Sequence, residues 1–218
     1  MKKLFTLLLL ASTLLAQNAI LAVQWFPSVC KVKHYKTCKK PIEYWQTHFT
    51  LHGLWPTKKE YCNVPARAKM LDKKGDWGSL PKLINPSMTE LLFTYMPGAV
   101  IGLHKHEYVK HGSCLSPSPD FYFLTSFSLL SQLNNTPMRF FFLKNRGKRV
   151  QTAKIAKLFD KAFFKGAGKR VRFICEKGYL TEMRINLAGE ISPQSYLCDL
   201  LREAKPIKRG CTIGKIGR

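Results

Sequence analysis

The chain has 218 residues, 45% of them hydrophobic, and sets 36 Lys and Arg against 13 Asp and Glu, for a formal net charge of +23. That length suits one domain with a full core. The charge exceeds what solubility requires and points to an anionic partner, whether nucleic acid, an acidic polysaccharide or an anionic membrane surface, without choosing among them.

Lys2 and Lys3 precede an apolar run of 13 residues, Leu4 to Ala16, broken only by Thr6, Ser12 and Thr13. About 20 apolar residues are needed to cross a bilayer, so the run excludes stable membrane insertion, and no other stretch is long enough. With small residues at Ala16, Ala19 and Ala22 it reads as an export signal over roughly residues 1–22, leaving 23–218 as a single domain with a net charge of +21. The seven cysteines all follow this segment. Export makes disulfides plausible, an odd count leaves one thiol over, and no CxxC metal or redox spacing occurs.

Leu21 to Cys30 alternates and reads as an edge strand ending near Pro27. A lysine-rich loop follows, which a short Cys30–Cys38 bridge would tie. His48 to Trp55 is a second strand, with His48, Thr50, His52 and Leu54 on one face and Phe49 and Leu51 on the other. Gly53 allows close approach there. Residues 63–78 are polar and basic and read as an irregular surface loop. Asn85-Pro86-Ser87 opens a helix with a capping box from Ser87 to Glu90, and the helix stops before Pro97-Gly98.

The next stretch, His106-Glu107-Tyr108-Val109-Lys110-His111-Gly112-Ser113-Cys114, holds two imidazoles, a carboxylate and an ammonium within six residues. On a helix Glu107 shares a face with Lys110 and His111, and His106 reaches Lys110. Such a set suits work on a phosphate; a solvated helix end stopped by Gly112 is the plain alternative. Beyond it, Phe121 to Leu133 reads as a core helix and Met138 to Leu143 as a buried strand. Thr152 caps an expected amphipathic helix from Ala153 to Lys165, ended by Gly166. Val171 to Cys175 and Leu180 to Leu187 form a hairpin pattern, and a basic tail closes the chain. No repeat or linker divides it, and the content is α+β.

Metal-independent RNA cleavage needs a base for the 2′-hydroxyl proton, an acid for the leaving 5′-oxygen and positive charge at the phosphorus. Histidines suit both proton roles near neutral pH. His52 and His111 offer such a pair, with Glu107 and Lys110 beside the phosphate. Phe49 to Pro56 (FTLHGLWP) and His106 to Cys114 (HEYVKHGSC) resemble, in order and separation, the two signature blocks of the ribonuclease T2 family. LAVQWFPSVC resembles that family's first strand.

The resemblance implies an α+β fold whose central antiparallel sheet is flanked by helices. It also implies a secreted or periplasmic endoribonuclease acting on single-stranded RNA with low base specificity. Its route is transphosphorylation to a 2′,3′-cyclic phosphate, then a 3′-phosphate, with no cofactor or metal and as a monomer. By the same resemblance His52 is the general acid and His111 the general base. Glu107 and Lys110 stabilise the transition state, His106 binds phosphate, Trp55 stacks on a base and Gln24 contacts a second base. The implied disulfides are Cys30–Cys38, Cys62–Cys114 and Cys175–Cys211, with Cys198 left over and Cys198–Cys211 as the alternative. The chain departs from the family's pattern at Thr57, where Asp or Asn is common, at Tyr108 and His104, where Trp is common, and in having three C-terminal cysteines rather than four. Two rivals remain. A zinc enzyme is disfavoured because His106 and His111 lack the i, i+4 spacing of HExxH. The other is a polyanion-binding protein without turnover.

Overall fold

In chain order the computed structural model, which describes residues 17–218, runs β1 (Gln17–Gln24), α1 (Phe26–Val29), α2 (Glu43–Thr47), β2 (Thr50–Pro56), α3 (Ala66–Lys73), α4 (Thr89–Tyr95), α5 (Leu103–Lys110), α6 (Pro119–Asn134), α7 (Pro137–Lys144), β3 (Arg149–Gln151), α8 (Thr152–Ala162), β4 (Val171–Glu176), β5 (Tyr179–Gly189), α9 (Leu197–Glu203) and β6 (Ile213–Lys215). β1 pairs antiparallel with β2 on one side and β5 on the other. β4 and β5 form an antiparallel hairpin, and the short β3–β6 ribbon joins through a parallel contact between Tyr179 and Lys215. Helices flank the sheet, an α+β fold.

Alternation along the strands divides the sheet into two faces. Leu21 and Val23 of β1 and Met183, Ile185 and Leu187 of β5 are buried in the main core, where α6 contributes Tyr122, Phe123, Phe127 and Leu130. Each such side chain withdrawn from water contributes about 1.5–3 kcal/mol. The residues between them, Gln24, Glu182 and Arg184, lie on the opposite face.

One irregularity matters most. The β1–β2 register steps from Ala22–Gly53 to Val23–Leu51, which leaves His52 as the extra residue of a β-bulge. Strict alternation would place Leu54 beside His52. The bulge instead sends both Leu51 and Leu54 into the core at 1% exposure, while the His52 side chain stays 26% exposed on the other face.

Other elements also differ from the sequence reading. The strand expected over Leu21–Cys30 begins at Gln17, ends at Gln24 and is central, not an edge; Pro27 lies in the first turn of α1, where its missing N–H costs nothing. Residues 63–78 contain α3, whose buried residue is the polar Asp72 rather than an apolar anchor. Met138–Leu143 is helical as part of α7. Pro137 starts that helix, and burial falls on Met138 and Phe142, spaced i, i+4, while Phe140 is 58% exposed. Asn85, not Ser87, supplies the cap, its side chain accepting from the Ser87 N–H. Thr152 donates to the Cys211 and Thr212 carbonyls instead of capping α8, which ends at Ala162.

The export segment expected over residues 1–22 lies outside the described residues up to residue 16. Residues 17–22 belong to β1, where Gln17 to Ala22 pair with β5 and Ala19 to Ala22 also pair with β2. Disulfides join Cys30 to Cys38, Cys62 to Cys114 and Cys175 to Cys211, and Cys198 is a free thiol. Among the described residues no helix is long and apolar enough to cross a membrane.

Candidate active site

The bulge turns His52 toward β5. Its Nδ1 lies 2.6 Å from Glu182 Oε2, and Arg184 Nε donates to Glu182 Oε1 at 2.6 Å. Glu182 is 6% exposed and stands opposite Gln24 in the β1–β5 register. Burial alone would strip the proton from His52. The hydrogen bond to Glu182 and the negative charges of Glu107 and Glu182 outweigh that penalty and the opposing charge of Arg184, so the His52 pKa stands above its ordinary 6.5. The same partners act in reverse on Glu182. Burial favours its neutral form, but the bonds and charges of His52 and Arg184 hold its pKa below the usual range.

The second wall is α5, entered through Gly102 in the left-handed conformation. Glu107 is 2% exposed, accepts the Trp55 indole N–H at 2.6 Å and lies 3.7 Å from His52 Nε2. Gly53 makes this approach possible, since a Cβ there would collide with the Glu107 carboxylate and the Trp55 indole nitrogen. Burial raises the Glu107 pKa, against the pull of His52, the indole N–H and His106.

His111 follows as the C-cap of α5. Its Nδ1 is buried with no hydrogen-bond partner among the described residues. Burial, then the positive charges of Lys110, His106 and His52, push its pKa down to about 3. The Trp55 indole lies between the two imidazoles, 5.1 Å from the ring of His52 and 5.6 Å from that of His111. His106 stands 6.1 Å from His111 ring to ring, and its Nδ1 is 2.8 Å from Asp72 Oδ1. Asp72 also accepts the Tyr61 hydroxyl at 2.8 Å, and Trp77 lies beside His106. The Cys62–Cys114 disulfide ties the segment after β2 to the turn after α5.

His52, Trp55, His106, Glu107 and His111 therefore come together from β2 and α5. Lys110 sits at the margin, 3.6 Å from Glu60. Gln24 lines a neighbouring cleft of about 300 Å³ with His52, Trp77, Glu182 and Arg184. The Thr57 hydroxyl donates to the Asn18 carbonyl, and Tyr108 donates to the carbonyls of Ser116 and Pro117. His104 turns toward Phe123, away from the cleft; burial and then Lys105 push its pKa down to about 4. Sequence reasoning missed Glu182, Arg184, Asp72 and Trp77. The sequence signal available was the Glu182–Arg184 pair, opposite charges two apart on one face of the strand YLTEMRINL. Among the described residues no three His, Cys, Asp or Glu side chains are grouped to hold a metal ion.

Two imidazoles beside one aromatic ring, the pKa of one raised and of the other lowered, form an arrangement suited to acid–base chemistry. The model of the Ribonuclease T2 family matches residues 16–198. Ribonuclease I of Escherichia coli is 26% identical over 205 residues, covering 78% of this chain and 75% of that protein. Ribonuclease T2-A of mouse is 31% identical over 130 residues, covering 54% of this chain and 43% of that protein. In fold, the self-incompatibility associated SF11-RNase of Nicotiana alata superposes with a TM-score of 0.56 at 19% identity, over 93% of this chain and 99% of that one. RNase NT, crystallised with 5′-AMP, gives 0.53 at 20% identity over 92% and 98%.

Proposed function

The chain belongs to the ribonuclease T2 family, whose members are endoribonucleases, and on that premise we propose that it cuts single-stranded RNA by acid–base transphosphorylation without a metal. His111 takes the 2′-hydroxyl proton, the 2′-oxygen bonds to phosphorus, and the 5′-oxygen leaves with the proton of His52. This yields a 2′,3′-cyclic phosphate, which water opens to a 3′-phosphate by the reverse proton path. Glu107 and Lys110 stabilise the charge on the pentacoordinate centre, and His106 holds a phosphate oxygen. Trp55 stacks on a base and Gln24 contacts the next one. The observation that supports this reading is the placement of His52 and His111 beside one Trp55 ring, at 5.1 and 5.6 Å, with the Glu107 carboxylate 3.7 Å from His52 Nε2.

Low base specificity follows from stacking, which any base satisfies, and from Thr57, whose hydroxyl is already committed to Asn18. The enzyme works as an exported monomer, in the periplasm or secreted, where its three disulfides persist. An export segment over roughly residues 1–22 directs it there. The remainder is one catalytic domain.

The test is incubation of the oxidised protein with RNA and with DNA in EDTA, followed by analysis of the product ends. Cyclic phosphate ends that convert slowly to 3′-phosphates, with DNA intact, are expected. Intact RNA from acid to neutral pH, or 5′-phosphate ends, would overturn the mechanism.

A further inference from the structure

We propose that Glu182, braced by Arg184, is the positioning residue that commits Nδ1 of His52 to the fold and leaves Nε2 as the nitrogen that delivers the proton. The inference rests on the cleavage reading above. Three geometric facts carry it. At 2.6 Å, the His52 Nδ1–Glu182 Oε2 contact is slightly shorter than the roughly 2.7–2.9 Å usual for a charge-assisted N–H···O⁻ bond. The second carboxylate oxygen is held by Arg184 Nε at 2.6 Å, so the carboxylate cannot rotate away. The other nitrogen, Nε2, has no hydrogen-bond partner among the described residues, with Glu107 Oε1 3.7 Å away and beyond hydrogen-bond range, and so stays available to a substrate.

Arg184 does a second thing. Its guanidinium lies 5.0 Å from the Trp55 ring, so one side chain braces both the acid's partner and the platform between the imidazoles. The charged and titratable groups facing His52 are Glu182 and Arg184 from β5 and Glu107 and His111 from α5 and its cap. Of these, only Glu182 is within hydrogen-bond distance. A buried carboxylate costs desolvation free energy unless it is paired. The His52–Arg184 bracket supplies that pairing, and orienting His52 is the chemical work it can do. During cleavage the Nε2–H bond breaks and the proton goes to the departing 5′-oxygen. The Nδ1–H bond to Glu182 persists throughout, so the imidazole ends neutral in a single tautomer.

The experiment compares wild type, Glu182→Gln, Glu182→Asp and His52→Ala on a dinucleoside monophosphate across pH, with an NMR titration of the His52 ring. Glu182→Gln keeps the shape and removes the charge. It should keep the wild-type near-ultraviolet circular dichroism, change KM less than about threefold and lower kcat by about tenfold to a hundredfold. The His52 midpoint and the alkaline limb of kcat/KM should both fall by about one pH unit or more. Glu182→Asp should restore part of each. A Glu182→Gln enzyme with wild-type kcat and an unmoved His52 midpoint overturns the proposal. So does a wild-type His52 that titrates below free histidine, a result that needs no variant to fold. Cleavage at the wild-type rate by His52→Ala would instead overturn the cleavage reading, while the NMR midpoint still judges the dyad.

Discussion

The two histidines of the site sit on opposite kinds of scaffold and reach opposite ends of the same titration. His52 rides a bulge in a sheet strand and meets a fixed carboxylate, which holds its pKa above 6.5. His111 ends a helix, buries an unpartnered Nδ1 and faces only positive neighbours, which hold its pKa near 3. Neither role is a property of histidine. The sheet supplies a long-range acidic partner and the helix end supplies none, which suits the same side chain to the proposed donor role in one place and the proposed acceptor role in the other.

The largest way to break this contrast is to remove either imidazole. His52→Ala and His111→Ala should each lower kcat by about 10²–10⁴-fold, the usual range for losing a general acid or base. The pH profile then separates them. His111 must be neutral, so kcat/KM should be lost as pH falls through about 3. His52 must be protonated, so kcat/KM should be lost as pH rises through a pKa above 6.5. Whatever cleavage remains in His52→Ala should lack the alkaline limb, and in His111→Ala the acid limb. If the limbs vanish the other way round, the assignments are reversed.

The scaffolds differ in what holds them as well. His52 is held by strand pairing on β1, whereas the end of α5 is held by the Cys62–Cys114 bond across a sequence separation of 52. Replacing both cysteines by Ser should cost about 4 kcal/mol of stability in the chain-entropy model, read from chemical denaturation. At temperatures where the variant is still folded, the His111 ring should shift in the NMR spectrum while the His52–Glu182 pair keeps its signature. Equal disturbance of both would show that the two halves are not held independently.

Much of this arrangement was legible in the chain, for a physical reason. Local spacing groups His106, Glu107 and His111 within one short block, while joining that block to His52 and Trp55 rests on the resemblance to the two signature blocks of the ribonuclease T2 family. Their partners were not legible, because Glu182 lies 130 residues from His52 and Asp72 lies 34 from His106. Local pattern carries no information at that range. The bulge escaped for a related reason: period-two alternation assumes an unbroken register and so put Leu54 on the wrong face. For MRFFFL, an apolar run interrupted by Arg139 alone has no readable period, and Pro137 with the Met138–Phe142 spacing decides for a helix. The helix α3 docks through Asp72 rather than an apolar stripe, which left the hydrophobic pattern silent about it.

Asp72 offers the smallest and most selective test. It resembles Glu182 in being a buried carboxylate on a histidine Nδ1, at 2.8 Å from His106. Its second oxygen, however, is held by the neutral hydroxyl of Tyr61, not by a guanidinium. Its histidine is the one proposed to bind phosphate rather than to move a proton. Asp72→Asn should therefore act on binding, because Asn keeps the shape and one acceptor but loses the charge that holds the ring. KM for a dinucleoside monophosphate should rise by about tenfold or less, roughly 1.4 kcal/mol, with kcat within about twofold and both pH limbs in place. Glu182→Gln should do the reverse, lowering kcat and moving the alkaline limb while sparing KM. If Asp72→Asn instead lowers kcat as much as Glu182→Gln does, His106 takes part in proton transfer and the division of labour between the two walls fails.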